Sequence, residues 1–223
     1  MQGQEAPANT TPAIWDLGTS WLTIGGTETY RDDFTGANGD PLDPTKWSVE
    51  ANDISIQAGR ATVLGTEQGE VSVIGTIDVP AKGGTFLEID WGFDVALDPN
   101  SYWQFGFQLA SRVGTSRSRI KFAYSGGVLT PYVWDDAGNM TAAPWQIALD
   151  PPPCTMKIRL IDPGAAGVIT QYEILRNGVV VRPATHIDTY FAIGAGPIRP
   201  WVVAYQGGNL NPIWFDNFRA GRG

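Results

Sequence analysis

The residues whose type and spacing suit chemistry fall into a few sets. Glu88, Asp90 and Asp94 stand at even positions of TFLEIDWGFDVA. Side chains of an extended strand alternate between faces, so these carboxylates share one side. Two carboxylates about 5–5.5 Å apart are what a retaining glycosidase uses as nucleophile and acid/base. Tyr102, Gln104 and Gln108 form a second one-sided row, and Tyr132, Trp134 and Trp145 flank the long loop 135–153. Flat aromatic rings stack on sugar rings while amides bond hydroxyl groups, so these six residues are candidate glycan contacts; the alternative is that the aromatics cap the edge of the fold. Other chemistries are excluded. His186 is the single histidine, which removes paired-histidine zinc motifs, and its place in THIDTYF reads as a loop. Cys154 is the single cysteine, so neither an internal disulfide nor a Cys-rich zinc site can form, and its strand-like surroundings predict a buried thiol. No Gly-x-Ser-x-Gly elbow, phosphate loop or dinucleotide fingerprint occurs.

The elements that must position these residues are strands. Among 223 residues, 27 glycines and 16 prolines make nearly one residue in five a chain breaker. Crossover helices of 10–15 residues and a membrane-spanning helix have nowhere to sit. Strand-like runs recur instead, the clearest at 53–64, 70–79, 85–96, 102–110, 117–124, 128–134, 154–162, 168–182, 201–206 and 213–219. Asn177-Gly178 predicts a tight hairpin turn inside the run 168–182. Leu87, Ile89, Trp91, Phe93 and Val95 oppose the acidic row. Trp103, Phe105, Phe107 and Leu109 oppose Tyr102, Gln104 and Gln108, and Ile120, Phe122 and Tyr124 oppose Arg117, Arg119 and Lys121. One apolar and one polar face per strand predicts an antiparallel all-β sandwich. If these three strands are neighbours, their acidic, amide and basic rows form one continuous polar face, and Glu88 and Asp90 pair with the basic row.

The charge balance narrows the partners. Fifteen Lys and Arg against 23 Asp and Glu give a net charge of −8, which argues against nucleic acid and membrane surfaces. Residues 1–28 read as an N-terminal arm, polar at first and then bearing Ile14, Trp15, Leu17, Trp21 and Leu22. Two tryptophans on such an arm predict docking, on the domain's own flank or on another chain. The opening MQGQEAPANTTP has neither a basic start nor an apolar stretch, so no signal peptide is expected.

The segment RDDFTGANGDPLDPTKWSV, residues 31–49, resembles the opening of the concanavalin A-like (laminin G-like) jelly-roll superfamily: Asp33-Phe34, a Gly/Asp-rich loop, then Leu42, Asp43 and Trp47. IWFDNFRAG, residues 213–221, is similar to its closing strand. The resemblance covers about 29–221 and implies an antiparallel jelly-roll β-sandwich whose first and last strands lie side by side, preceded by an extended N-terminal arm. The superfamily's laminarinase-like glycoside hydrolases carry Glu-x-Asp-x-x-Glu on one strand. Glu88 and Asp90 match, but Phe93 occupies the acid/base position and cannot donate a proton, so the resemblance implies no catalytic residue and no enzyme. Many jelly rolls hold a structural calcium; if the terminal strands pair, Asp32, Asp33 and Asp216 are candidate ligands, and Asp135, Asp136 and Asn139 form a second oxygen-rich turn. Otherwise no cofactor is expected. A jelly roll with this opening is also similar to lectin-like modules of bacteriophage virion and minor tail proteins. That likeness implies a virion component of the tail or host-adhesion apparatus, made in the host cytoplasm, a homo-oligomer docked by its arm on other virion proteins, with host cell-surface polysaccharide as ligand. Capsid decoration, and a carbohydrate-binding module or glycoside hydrolase relative, are the alternatives.

Overall fold

The computed structural model describes residues 27–49, 54–64, 69–80, 83–94, 100–109, 119–134, 139–142, 146–150, 152–161, 171–183, 197–206 and 212–222. These residues form strands and no helix. In chain order the strands begin with β1 (Thr27–Asp32), β2 (Trp47–Val49), β3 (Ile54–Gln57), β4 (Arg60–Val63), β5 (Gly69–Gly75) and β6 (Val79–Pro80). They continue with β7 (Thr85–Phe93), β8 (Tyr102–Leu109), β9 (Arg119–Ser125), β10 (Val128–Trp134), β11 (Met140–Ala142) and β12 (Ile147–Ala148). The last are β13 (Cys154–Ile161), β14 (Gln171–Arg176), β15 (Val179–Arg182), β16 (Pro197–Gln206) and β17 (Ile213–Arg222).

Two antiparallel sheets result. One runs β15-β14-β13-β7-β17-β4-β3 with β1 beside β17; the other runs β11-β10-β9-β8-β16-β5-β2, with β12 on β10 and β6 on β16. The first and last strands pair from Thr27↔Arg222 to Asp32↔Phe218, as the resemblance implied. The antiparallel sandwich predicted from alternation, in the jelly-roll form that the resemblance implied, is the observed architecture. Inward rows meet in one core: Leu87, Ile89 and Trp91 from β7 against Trp103, Phe105 and Phe107 from β8, all buried. Trp91 and Trp103 stack across the sandwich at 4.2 Å and 3°, a contact worth about 0.5–1.5 kcal/mol beyond burial.

Two expectations need correction. The continuous polar face does not form, because β7 lies in one sheet and its successors β8 and β9 lie in the other. Glu88 pairs with Lys157 of β13 at 3.2 Å instead of with β9. Alternation reveals which side chains share a face but not which strand lies next door. The run 53–64 is likewise two strands, turned at Ala58-Gly59 with φ of 51° and 74°. Alanine is a poor turn signal, but the Ala58 amide donates to Asn38 Oδ1 at 2.8 Å, which steadies the turn from twenty residues away. The predicted turn at Asn177-Gly178 is present, with both φ positive at 47° and 76°.

The opening motif is a structural anchor. Asp32, 8% exposed, accepts from the Phe34 amide through Oδ1 at 3.0 Å and from the Trp47 indole through Oδ2 at 2.7 Å. Lys46 Nζ lies 3.5 Å from Oδ1. Phe34, at φ 46°, stacks on Trp47 and meets Phe215 edge-on, so the two terminal motifs close the same corner of the core.

Candidate functional site

The outward rows of β4, β17, β7 and β13 build a polar surface with a cleft in it. Register places Asp90 opposite Thr155 on one side and Asp216 on the other. Thr155 donates its hydroxyl to Asp90 Oδ1. Asn217, at φ 46°, interrupts the β17–β7 register between Asp216 and Arg219. An irregularity of this kind re-aims a side chain, and here the Asn217 amide group donates to Asp90 Oδ2 at 2.9 Å while its backbone N–H donates to Asp216 Oδ1 at 2.7 Å. Both oxygens of Asp90 are thus fixed by donors on either neighbouring strand.

Beside this group lies a layered stack. Gly92 continues the outward row of β7, and a Cβ there would fall 2.5 Å from Trp214 Cζ2. Glycine therefore lets the Trp214 indole lie directly on the strand. Its Nε1–H donates to Asp94 Oδ1 at 3.3 Å, and the Arg60 guanidinium covers the ring at 4.2 Å from its centroid. Arg60, Asp90, Thr155, Trp214, Asp216 and Asn217 line an open cleft of about 310 Å³, completed by Pro153, Cys154 and Asn177.

Burial pushes the Asp216 carboxyl above its usual range; the Asn217 amide works against this, the Asp90 charge reinforces it, Arg60 lowers it again and Asp33 adds a smaller upward push. Burial also raises the Cys154 thiol, against the stabilising contacts of Arg176 and Trp91. The buried, free thiol is the one expected. A hydroxyl, an amide, two carboxylates and a guanidinium around one cleft form a donor and acceptor set suited to a polyhydroxylated ligand.

The sequence-predicted residues fall elsewhere. Tyr102 stands on the outer face of the other sheet, stacked on Tyr205 at 4.7 Å, and donates to Glu70 at 2.9 Å. Burial and the Glu70 carboxylate raise its phenol. Gln104 and Gln108 lie on the same strand but are only 5% and 2% exposed. Tyr132 is half-buried in β10, and Trp134 ends that strand opposite Arg119 and Met140. Trp145, His186, Asp135, Asp136 and the arm residues Ile14, Trp15, Leu17, Trp21 and Leu22 lie outside the described residues.

Asp32, Asp33 and Asp216 are not brought together as a calcium site. Asp32 serves Phe34 and Trp47, with the Lys46 ammonium where a cation would sit, and Asp33 pairs with Arg31 at 3.0 Å. Among the described residues no three His, Cys, Asp or Glu side chains are placed to hold a metal. Phe93, at the acid/base position of the hydrolase motif, is turned toward the core beside Trp91. Sequence reading passed over Arg60, Thr155, Trp214 and Asn217. Trp214 was legible, since alternation in IWFD sets it on the face of Asp216, opposite Ile213 and Phe215.

No family model and no curated protein matches this sequence. Solved structures do match. The carbohydrate recognition domain of Emp46p, in its potassium-bound form, is 9% identical with a TM-score of 0.60, covering 78% of this chain and 88% of that one. The carbohydrate-binding module CBM66 from Bacillus subtilis is 10% identical, with a TM-score of 0.53, and the match covers 79% of this chain and 96% of the module. SCLam, a non-specific endo-beta-1,3(4)-glucanase from family GH16, is 10% identical with a TM-score of 0.60, over 91% and 93% of the two chains. Identities this low establish shared architecture alone: the chain has the two-sheet jelly-roll fold of these solved structures.

Proposed function

We propose that this chain is a non-catalytic carbohydrate-binding jelly roll, working in a bacteriophage particle as part of the tail or host-adhesion apparatus. The observation that carries the binding reading is the cleft between β4, β17, β7 and β13, where Asp90 is held by Thr155 and Asn217 beside Asp216. The solved structures named for carbohydrate recognition and binding support the same reading through their fold. The phage setting rests on the resemblance of residues 31–49 to the opening of lectin-like virion modules. In that setting residues 1–28 dock a homo-oligomer on its neighbours, and host wall polysaccharide is the ligand.

Titration of the full chain with fragments of host wall polysaccharide tests the binding. Asp90→Ala is expected to weaken it at least about tenfold, since Thr155 and Asn217 together lose the carboxylate that orients them, and Tyr102→Ala to leave it within about twofold. The reverse ranking moves the site to the other sheet. One observation favours hydrolysis as a second reading: Asp90 and Asp216 face one another across neighbouring strands, and burial keeps Asp216 protonated to a higher pH than an ordinary aspartate. Against it, Phe93 stands where the related hydrolases carry their acid/base. Release of reducing ends from β-glucans, abolished by Asp216→Asn, would establish the hydrolase; none is expected.

A further inference from the structure

The Arg60 guanidinium has an unusual setting. Its Cζ lies 4.2 Å from the centroid of the Trp214 ring, and that ring packs directly on Gly92, so indole and strand brace the cation's position. Two other cations on this sheet are matched to carboxylates, Lys157 to Glu88 and Arg159 to Glu173. Arg60 takes part in none of the ion pairs among the described residues; it lies against the ring, and its charge is felt by Asp216, whose carboxyl it lowers. A guanidinium stacked on an aromatic ring keeps its N–H edge free for a planar, two-point anion contact, and part of its ordering entropy is already lost before the ligand arrives. The edge borders the same cleft as Asp216 and the Asp90–Thr155–Asn217 group. A ligand spanning the cleft meets hydroxyl-binding groups at one end and a preset cation at the other.

We infer that the cleft selects an anionic glycan unit, whose single negative charge is bound by Arg60 while its hydroxyls are bound by Asp216 and the group around Asp90. This rests on the glycan-binding reading and names its ligand class. A hexuronate carboxylate and a sugar or polyol phosphodiester present the same singly charged, two-oxygen edge. The acidic neighbours Asp90 and Asp216 disfavour a doubly charged phosphate monoester.

The test is calorimetric titration of the full chain at neutral pH with three probes of equal length: an oligogalacturonate, an oligo(glycerol phosphate) and a neutral β-glucan oligosaccharide. At least one anionic probe is expected to bind about tenfold tighter than the neutral one, and whichever does so identifies the source of the anion. Arg60→Gln should abolish that preference with little change in melting temperature, and Arg60→Lys should restore only part of it, because lysine offers a point charge without the fork. Should Arg60→Gln fold poorly, the Arg60 Nε–Hε NMR resonance of the unaltered chain gives the same answer: it shifts with the anionic probe and stays still with the neutral one. Neutral binding as tight as anionic binding overturns the inference and leaves the glycan-binding reading standing. Absence of binding by all three overturns both.

Discussion

Two aspartates show how far a residue's role depends on partners distant in sequence. From sequence, Asp32 and Asp216 are equivalent candidates for oxygen ligands near the paired termini. Asp32 turned out to be an internal acceptor, because Trp47 brings its indole N–H back to it from fifteen residues away. Nothing in the local sequence announces that contact. Asp32→Ala leaves two buried N–H groups without their acceptor and Lys46 without its carboxylate, so it should destabilise the domain by about 2–4 kcal/mol in urea unfolding. A loss below about 0.5 kcal/mol would mean that Asp32 does not anchor the corner. Asp216 acts in the opposite sense. Its carboxyl lies above the ordinary value of 3.8 in the folded chain, chiefly through burial. As pH rises the unfolded chain therefore ionises first. Between the unfolded and folded values the native state holds the extra proton, so stability falls with rising pH through that window and the deficit is constant above it. Asp216→Asn removes the deficit and keeps an acceptor for the Asn217 amide. The variant should be the more stable protein at pH 7 and indistinguishable from its parent below pH 3.8. Denaturant midpoints at two pH values check this, and a variant less stable at pH 7 would contradict it.

Strand patterns were the most legible level. Alternation in 85–96 and 102–110 correctly opposed core and outer rows, and Asn177-Gly178 marked its own turn, since both residues tolerate positive φ. Strand order was illegible, because the chain steps from one sheet to the other between Phe93 and Tyr102 and a period of two is blind to such a step. That is why the acidic row was assigned to the wrong neighbours and the cleft was missed. Gly92 carries the element-scale prediction. It reads as a weak point in a strand, yet it is the seat of Trp214. Gly92→Ala puts a methyl group 2.5 Å from Cζ2 and 2.9 Å from Cε2 of that ring. The indole must move, releasing Asp94 and carrying Arg60 with it. Overpacking of this kind should cost about 1–3 kcal/mol, and the preference for anionic ligand should fall along with it. Calorimetric unfolding and titration of the same sample separate the effects; a variant with an unshifted transition would show that the ring has room to spare.

At the scale of the whole molecule, the dense glycines and prolines excluded helical folds and the two terminal motifs implied their own adjacency, which the β1–β17 ladder realises. β1 begins at Thr27, two residues inside the arm drawn from sequence, because Thr27 and Glu28 already pair with Arg222 and Gly221. Beyond them, Tyr30 is 2% exposed, packs edge-on against Trp47 and Phe218, and donates its hydroxyl to the Lys46 carbonyl. The closing strand thus depends on the opening one for pairing along residues 218–222 and for the aromatic cluster beneath it. Two truncations should separate sharply. A chain lacking residues 1–26 keeps the ladder, Tyr30 and Asp32, and is expected to unfold in a single cooperative transition near that of the full chain; if the arm docks as proposed, it also loses attachment to neighbouring chains. A chain lacking 1–32 loses Tyr30 and Asp32 together. Removing one large buried aromatic alone costs about 3–5 kcal/mol, a large fraction of the 5–15 kcal/mol that holds a typical domain. The shorter chain should therefore melt far lower or fail to fold. Calorimetry of both decides between a separable arm and an integral one: equal damage from the two deletions would mean that residues 1–26 belong to the fold.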